Sequence, residues 1–185
     1  MQHNGIDPSM EDDAIVHRAR KDPDAFAPLY QRYSTQIYRW MYRETADPDA
    51  AADLTAQVFV QALQSLHRYQ PTHATSFRAW LFTIARNLLR DSWRRYRPVS
   101  LPPMELADQS PGPEEIAIHR TEMDELRAAL DCLPERQREI VELRISGLTM
   151  REVAEIQNTT ENAVKTAQTR AFKTLRARLT EGVAR

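Results

Sequence analysis

The sequence predicts an all-α protein of two small helical domains joined by a flexible, proline-rich linker. Three observations carry this expectation. Glycine is scarce, with 4 in 185 residues, and no long stretch shows the apolar–polar alternation of a half-buried strand. Apolar residues recur instead at helical spacing almost throughout. The segment from Pro98 to Pro113 holds five prolines and interrupts that pattern. The expected division is a flexible N-terminus over 1–12, a first domain over 13–97, the linker over 98–113 and a second domain over 114–185.

The elements follow in order. A helix is expected from near Glu11 to before Asp22-Pro23, because proline disfavours helix in the residue preceding it. A second, from about Asp24 to Glu44, is marked by Phe26, Leu29, Tyr30, Tyr33, Ile37, Tyr38 and Met41, and Asp47-Pro48 ends it. A third, from about Asp49 to His67, is built on Leu54, Val58, Phe59, Ala62, Leu63 and Leu66. Tyr69 to Thr75 reads as a loop. A fourth runs from Ser76 to about Tyr96, with Phe77, Trp80, Leu81, Ile84 and Leu88 as its buried stripe. A fifth is expected over about Glu114–Asp131.

The C-terminal stretch from Leu133 to Leu179 reads as a helix-turn-helix unit. Thr149 caps the first helix, and Glu152 three residues later completes a capping box. Val153, Ala154 and Ile156 form its inner face. Asn158 tolerates a left-handed backbone and makes the turn without glycine. Thr160 caps the second helix, and Glu161 suits its positive N-terminal end. On that helix Val164, Ala167, Ala171, Leu175 and Leu179 share one face, flanked by Phe172. Lys165, Thr166, Thr169, Arg170, Lys173 and Arg176 fall opposite, mixing hydroxyls for base edges with cations for phosphates. A solvated face would mix charge signs more evenly, whereas residues 163–185 carry six cations and one acid.

Net charge is −1, but it is distributed in blocks. Residues 86–97 carry five basic and one acidic side chain, and residues 136–185 ten and six. Residues 98–135, between them, carry two basic and nine acidic. Two positive footprints are therefore separated by an acidic connector. The single Cys132 excludes an internal disulfide framework and a cysteine-rich zinc site, and its apolar context suits a packed thiol. No stretch approaches the roughly 20 apolar residues of a membrane span, and the polar, acidic N-terminus is no signal peptide. A cytoplasmic protein without membrane insertion is the expectation.

The second positive site is the fourth helix. Arg86, Arg90, Arg94 and Arg97 line the side opposite its apolar stripe, with Thr83 and Asn87 beside them and Trp93 on the flank. Arginines, an amide and aromatics near a polar loop suit a strand with unstacked bases. Phe77 and Trp80 are expected to be core, and Asn87 is the better candidate to read a base.

These residues resemble a known family. RYQPTHATSFRAWLFTIARNLLRDSWRRYR is similar to the second conserved region of extracytoplasmic-function (ECF, group 4) sigma factors of the sigma-70 family. ADLTAQVFVQALQSL, just before it, resembles that region's polymerase-docking helix. LPERQREIVELRISGLTMREVAEI and ENAVKTAQTRAFKTLRARL resemble the fourth region. The resemblance covers nearly everything from Asp22 to Leu179, in the family's order. It implies a subunit of bacterial RNA polymerase that docks on the clamp of the largest subunit through Asp53, Gln57, Val58, Gln61 and Gln64. It implies minus-ten recognition and melting by His73, Thr75, Ser76, Arg78, Thr83, Arg86, Asn87, Arg90 and Arg94. It implies minus-35 recognition by Thr160, Lys165, Thr166, Thr169, Arg170, Lys173 and Arg176. Promoter DNA and an anti-sigma factor are the further partners it implies, acting on one copy per polymerase rather than on an obligate homo-oligomer.

Several positions depart from the family's usual pattern. Gln57 stands where an acid is common, Asn158 where glycine is frequent, and Ala167 where arginine is common. Gln157 and Thr159 replace apolar neighbours. Gln168 lies where leucine is usual and is expected at a domain edge or against a partner. The stretch Arg144–Gly147 is one residue shorter than typical. A free-standing helix-turn-helix regulator would explain the C-terminal unit but not the arginine-rich helix. An enzyme is not expected. The chain shows no metal cluster, no glycine-rich phosphate loop and no nucleophile–base spacing, and no cofactor is implied.

Overall fold

The structure, a computed structural model, describes residues 8–71, 76–95 and 126–183. The linker 98–113, the loop residues His73 and Thr75, Arg97 and the start of the fifth expected helix lie outside the described residues. Among those described, every regular element is helical. Helix α1 spans Pro8–Ala19, α2 Ala27–Thr45, α3 Pro48–Ser65 and α4 Phe77–Arg95. Residues 126–131 are helical, and α5 (Glu135–Ile145), α6 (Met150–Ile156) and α7 (Glu161–Val183) complete the chain.

The boundaries sit where the sequence places its caps. Asp22 accepts a hydrogen bond from the Asp24 N–H at 3.1 Å and opens a single 3-10 turn, Pro23–Phe26, before α2. Asp47 accepts from the Asp49 and Ala50 N–H groups at 2.9 and 3.2 Å, with Pro48 in the first turn of α3. These bonds satisfy amides that the helix itself leaves unpaired. Between α2 and α3 the chain reverses through Ala46 at φ 58°, a left-handed conformation that an alanine adopts only at some cost.

Most of the expected core is buried, including Leu29, Tyr33, Ile37, Met41, Leu54, Phe59, Leu66, Phe77 and Leu81. Phe26 meets Phe59 and Phe77 edge-on at 6.4 and 6.3 Å, the geometry that aromatic quadrupoles favour. Two expectations need correction. Tyr30 and Leu63 are 49% and 38% exposed, because no element among the described residues covers the side of α2 and α3 on which they stand. Helix α4 is buried more widely than a single stripe. Ala79, Phe82, Ala85 and Leu89 are enclosed as well, while Trp80 and Leu88 are only partly buried. The reason is that α4 packs against α3 and α1 on one side and against α6 on another.

One apolar cluster consequently runs from Ile15 through α2–α4 to Ile140, Leu143, Leu148, Val153, Ile156 and Val164. A smaller cluster of Leu130, Leu133, Val141 and Ala171 closes the far end, with Cys132 packed beside it and its thiol donating to the Ala129 carbonyl. Polar bonds frame the seam between the N-terminal and C-terminal helices. Arg43 Nε donates to Glu142 Oε2 at 2.7 Å and its Nη2 to Ser146 Oγ at 2.5 Å. Arg127 donates to the carbonyls of Arg43 and Tyr42 at 2.8 and 2.6 Å and lies over the Tyr42 ring.

Glu44 sits in this seam with its side chain 8% exposed. Burial and the negative charge of Glu142 push its carboxyl up to about 7, opposed by Arg138, the Trp40 indole N–H and Arg43. Arg127 and Asp131 line the same cleft. Its folded-state value exceeds the unfolded one, so its contribution to stability is full below about pH 4.5 and is lost as pH rises through about 7, by at most about 3 kcal/mol. Glu44→Gln should therefore flatten the stability profile between about pH 5 and about pH 8 and stabilise the protein at the upper end. Urea melts across that range check this, and parallel curves for the two proteins would refute it.

Candidate nucleic-acid interface

The helix-turn-helix unit is assembled by short-range chemistry. Thr149 Oγ1 accepts from the Glu152 N–H at 3.2 Å, and Glu152 Oε2 accepts from the Thr149 N–H at 2.8 Å, which completes the capping box. Asn158 takes φ 49° and turns the chain, as its side chain permits. Thr160 Oγ1 accepts from the Ala163 N–H at 3.2 Å and opens α7. Val153, Ala154, Ile156 and Val164 are buried in one cluster and hold the two helices together with the half-buried Ala167, while Ala171 is buried in the smaller cluster with Leu130, Leu133 and Val141. Gln168 is half-buried as well, with Oε1 enclosed and unpaired among the described residues. Leu179 lies beyond the side chains the structure describes.

The outward face of α7 is open. Lys165, Thr166, Thr169, Arg170, Lys173 and Arg176 are all exposed. Among the described residues no acid pairs with Lys165, Arg170 or Lys173. The Thr166 and Thr169 hydroxyls donate to the carbonyls of Asn162 and Lys165, both at 2.9 Å. Each hydroxyl proton is thus committed to the helix, and what each presents outward is an acceptor lone pair. That suits an exocyclic amino group on a base edge, while the cations suit guanine edges or phosphates.

The candidate residues on α4 and before it divide into two groups. Asn87, Arg90 and Arg94 are exposed, and among the described residues Arg94 makes a 3.9 Å contact to Asp91. Thr83 is half-buried and donates to the Ala79 carbonyl at 2.9 Å. Ser76, Arg78 and Arg86 are instead engaged by the C-terminal helices. Arg78 grips Glu152 with two hydrogen bonds, 2.8 and 2.5 Å, and Ser76 Oγ donates to the same carboxylate at 3.0 Å. Arg86 grips Glu139 with Nε and Nη2 and reaches the Ile156 carbonyl with Nη1 at 3.3 Å. Burial alone would raise the Glu152 carboxyl. The hydrogen bonds from Arg78 and Thr149 and the charge of Arg78 outweigh it and hold the group below its ordinary range. Sequence reasoning assigned Glu152 to the capping box and missed its second role. Glu139 and Glu142 were missed entirely, because nothing local in the sequence marks a contact 53 or 99 residues away.

The approach to the loop is anchored from α1. Arg20 donates to the carbonyls of Leu66 and Tyr69, and the Tyr69 hydroxyl donates to Asp13 at 2.8 Å. Burial and the neighbouring Asp13 raise the Tyr69 phenol, which stays protonated as a donor. Trp93 is 41% exposed, and the Arg138 guanidinium lies 5.8 Å from its ring centroid.

The candidate docking helix α3 requires one correction. Asp53, Gln57, Gln61 and Gln64 are exposed, but Val58 is fully buried in the core. The side chains that share the outer surface with the polar ones are Val60, 55% exposed, and Leu63, with Tyr30 of α2 lying against Phe59 at 4.8 Å. Among the described residues no cluster of His, Cys, Asp or Glu could hold a metal, and no helix is long and apolar enough to cross a membrane.

Comparisons with known proteins agree with this layout. Residues 29–98 match the family model for sigma-70 region 2, and residues 123–175 that for sigma-70 region 4. The ECF RNA polymerase sigma factor BldN of Streptomyces coelicolor is 35% identical over 168 residues, covering 87% of this chain and 63% of that protein. The ECF RNA polymerase sigma factor SigX of Bacillus subtilis is 29% identical over 83% of this chain and 82% of its own length. The ECF RNA polymerase sigma factor SigK of Mycobacterium sp. strain KMS is 32% identical over 74% of each chain. A solved structure of CnrH in complex with the cytosolic domain of CnrY shares the fold with a TM-score of 0.72 at 24% identity, over 91% of this chain and 96% of that one. The chain belongs to the ECF RNA polymerase sigma factors of the sigma-70 family.

Proposed function

We propose that this protein binds the core of a bacterial RNA polymerase and directs promoter-specific initiation by reading a minus-ten and a minus-35 element. The observation that carries the reading is the pairing, in one chain of this family, of two DNA-facing surfaces with an exposed apolar edge. One surface is the exposed cation and hydroxyl face of α7. The other is the Asn87, Arg90 and Arg94 side of α4 beside the loop that begins at Tyr69. The edge is formed by Tyr30, Val60 and Leu63, ringed by Asp53, Gln57, Gln61 and Gln64.

In this proposal residues 13–97 form the domain that docks on the clamp and opens the minus-ten element. Residues 114–185 form the domain that reads the minus-35 element, and 98–113 join them. Opening the duplex requires a base to leave the stack, at about a few kcal/mol. His73, Thr75 and Ser76 offer donors and acceptors to offset that cost, with Thr83, Asn87, Arg90 and Arg94 along the displaced strand. Thr160 sits at the N-terminal end of α7, where the helix dipole attracts a phosphate. The protein would act in the cytoplasm, and nucleotide chemistry would belong to the polymerase. The apolar edge and the basic faces are also the surfaces that an anti-sigma factor would cover.

A one-to-one complex with core polymerase, seen by co-migration in gel filtration, tests the reading. Leu63→Lys should abolish that complex while leaving the helical circular dichroism unchanged, since the side chain is already at the surface. An unaltered complex would remove α3 from the docking surface. Arg170→Ala should weaken binding to the selected minus-35 sequence by about 1–3 kcal/mol and relax specificity at one position. Lys173→Ala should weaken all sequences alike and reduce the salt dependence. Competition binding at two salt concentrations separates the two, and identical behaviour would contradict the division into base and phosphate contacts.

A further inference from the structure

Helix α1 makes a set of contacts that the DNA-facing surfaces leave unexplained. Its neighbouring acids Asp12 and Asp13 each accept a hydrogen bond from a phenol, Asp12 from Tyr33 of α2 and Asp13 from Tyr69 at 2.8 Å. Asp12 is further held by Arg32 at 2.5 Å, which ties α1 to α2. Both rings rest on Phe77, the first residue of α4, with centroids 5.9 and 5.6 Å away. Tyr69 and Phe77 stand at the two ends of the loop assigned above to the minus-ten element, with seven residues between them. The Tyr69 ring is 1% exposed and also meets Trp80 at 5.3 Å, so the loop leaves from and returns to a single packed cluster.

Arg20, just past the end of α1, adds a second hold. Helix α3 runs into a 3-10 turn, Leu66–Arg68, and the carbonyls at such an end lack partners within the helix. Arg20 Nε donates to the Leu66 carbonyl at 3.2 Å and Nη2 to the Tyr69 carbonyl. One planar guanidinium thus fixes two carbonyls, three residues apart, in the last turn before the loop. The cation also lies at the negative end of α3.

We propose that Arg20 and Asp13 are positioning residues for minus-ten recognition, holding Tyr69, and with it the entry of the loop, in one orientation against the start of α4. The inference rests on the minus-ten reading given above. It adds to that apparatus a helix, α1, that carries none of the residues assigned to DNA.

Two features favour positioning over plain stabilisation. Arg20 is exposed, and a hydrogen bond from an exposed group to carbonyls that water could otherwise serve adds little to stability. What it removes is freedom of the loop entry, and a binding segment ordered beforehand loses less entropy on meeting its ligand. The Tyr69 ring is already fixed by packing, so the hydroxyl bond to Asp13 contributes direction. Every partner named here lies within residues 12–80, so these contacts need no C-terminal helix.

The test uses the full chain bound to core polymerase. Its probes are two single-stranded oligonucleotides of equal length, one carrying the minus-ten element and one scrambled. Arg20→Gln should lower the ratio of the two affinities about tenfold, the scale of one orienting hydrogen bond. Core binding, circular dichroism and affinity for the scrambled strand should stay unchanged. Tyr69→Phe keeps the ring, removes the bond to Asp13, and should lower the ratio as well. Arg20→Lys keeps the charge but not the fork, and should behave like Arg20→Gln. An unchanged ratio in Arg20→Gln and Tyr69→Phe, beside a clear preference in the unaltered protein, would overturn the inference and leave the minus-ten reading standing. Full recovery by Arg20→Lys, or an equal loss on both strands, would also overturn it by making Arg20 a phosphate contact. No preference between the strands in the unaltered protein would remove the minus-ten reading, and the inference with it.

Discussion

The burial of helix α4 from two sides is the constraint on which the rest of the structure depends. Its Phe77, Leu81, Phe82, Ala85 and Leu89 are enclosed, and they are enclosed by helices from both halves of the chain. A helix with one buried stripe can devote the remaining arc to solvent or a ligand. Here the second contact takes part of that arc and draws Arg78 and Arg86 to the C-terminal helices, leaving Asn87, Arg90 and Arg94 outside. The same element is therefore core, domain seam and proposed DNA-facing surface.

The two proposed DNA-facing surfaces are built on different physical principles. Helix α7 is prepared by its own backbone. Its threonines lock their protons into the helix and its lysines and Arg170 find no acid among the described residues, so its pattern of acceptors and charges is set before DNA arrives. Preorganised polar groups of this kind recognise a duplex groove without rearrangement. The proposed α4 surface is prepared only in part, because Arg78 and Arg86 are held by Glu152 and Glu139 while Arg90 and Arg94 are exposed.

Much of this was legible in the sequence, and the reasons are local. The caps at Thr149 and Thr160, the Asn158 turn and the sidedness of α7 follow from residues within four positions of one another, and the structure reproduces the caps, the turn and the inner face from Val164 to Leu175. The order of the helices was legible for the same reason, since proline and aspartate mark their starts. What could not be read were facts of tertiary packing. Val58 was grouped with the docking residues, but helical periodicity alone does not say which of two apolar arcs meets the core. Leu63 and Tyr30 erred in the opposite direction for that reason. The carboxylates that hold Arg78 and Arg86 lie on elements far away in sequence, where charge patterning has no register to follow.

The central claim is that this chain confers promoter choice on a polymerase that lacks it. In-vitro transcription with purified bacterial core enzyme, on promoter fragments from the source genome, tests it most directly. The account predicts discrete transcripts that require the protein and that disappear when either the minus-ten or the minus-35 element is scrambled. Absence of such transcripts, together with tight binding of the protein alone to duplex DNA, would contradict it and mark the chain as a free-standing regulator.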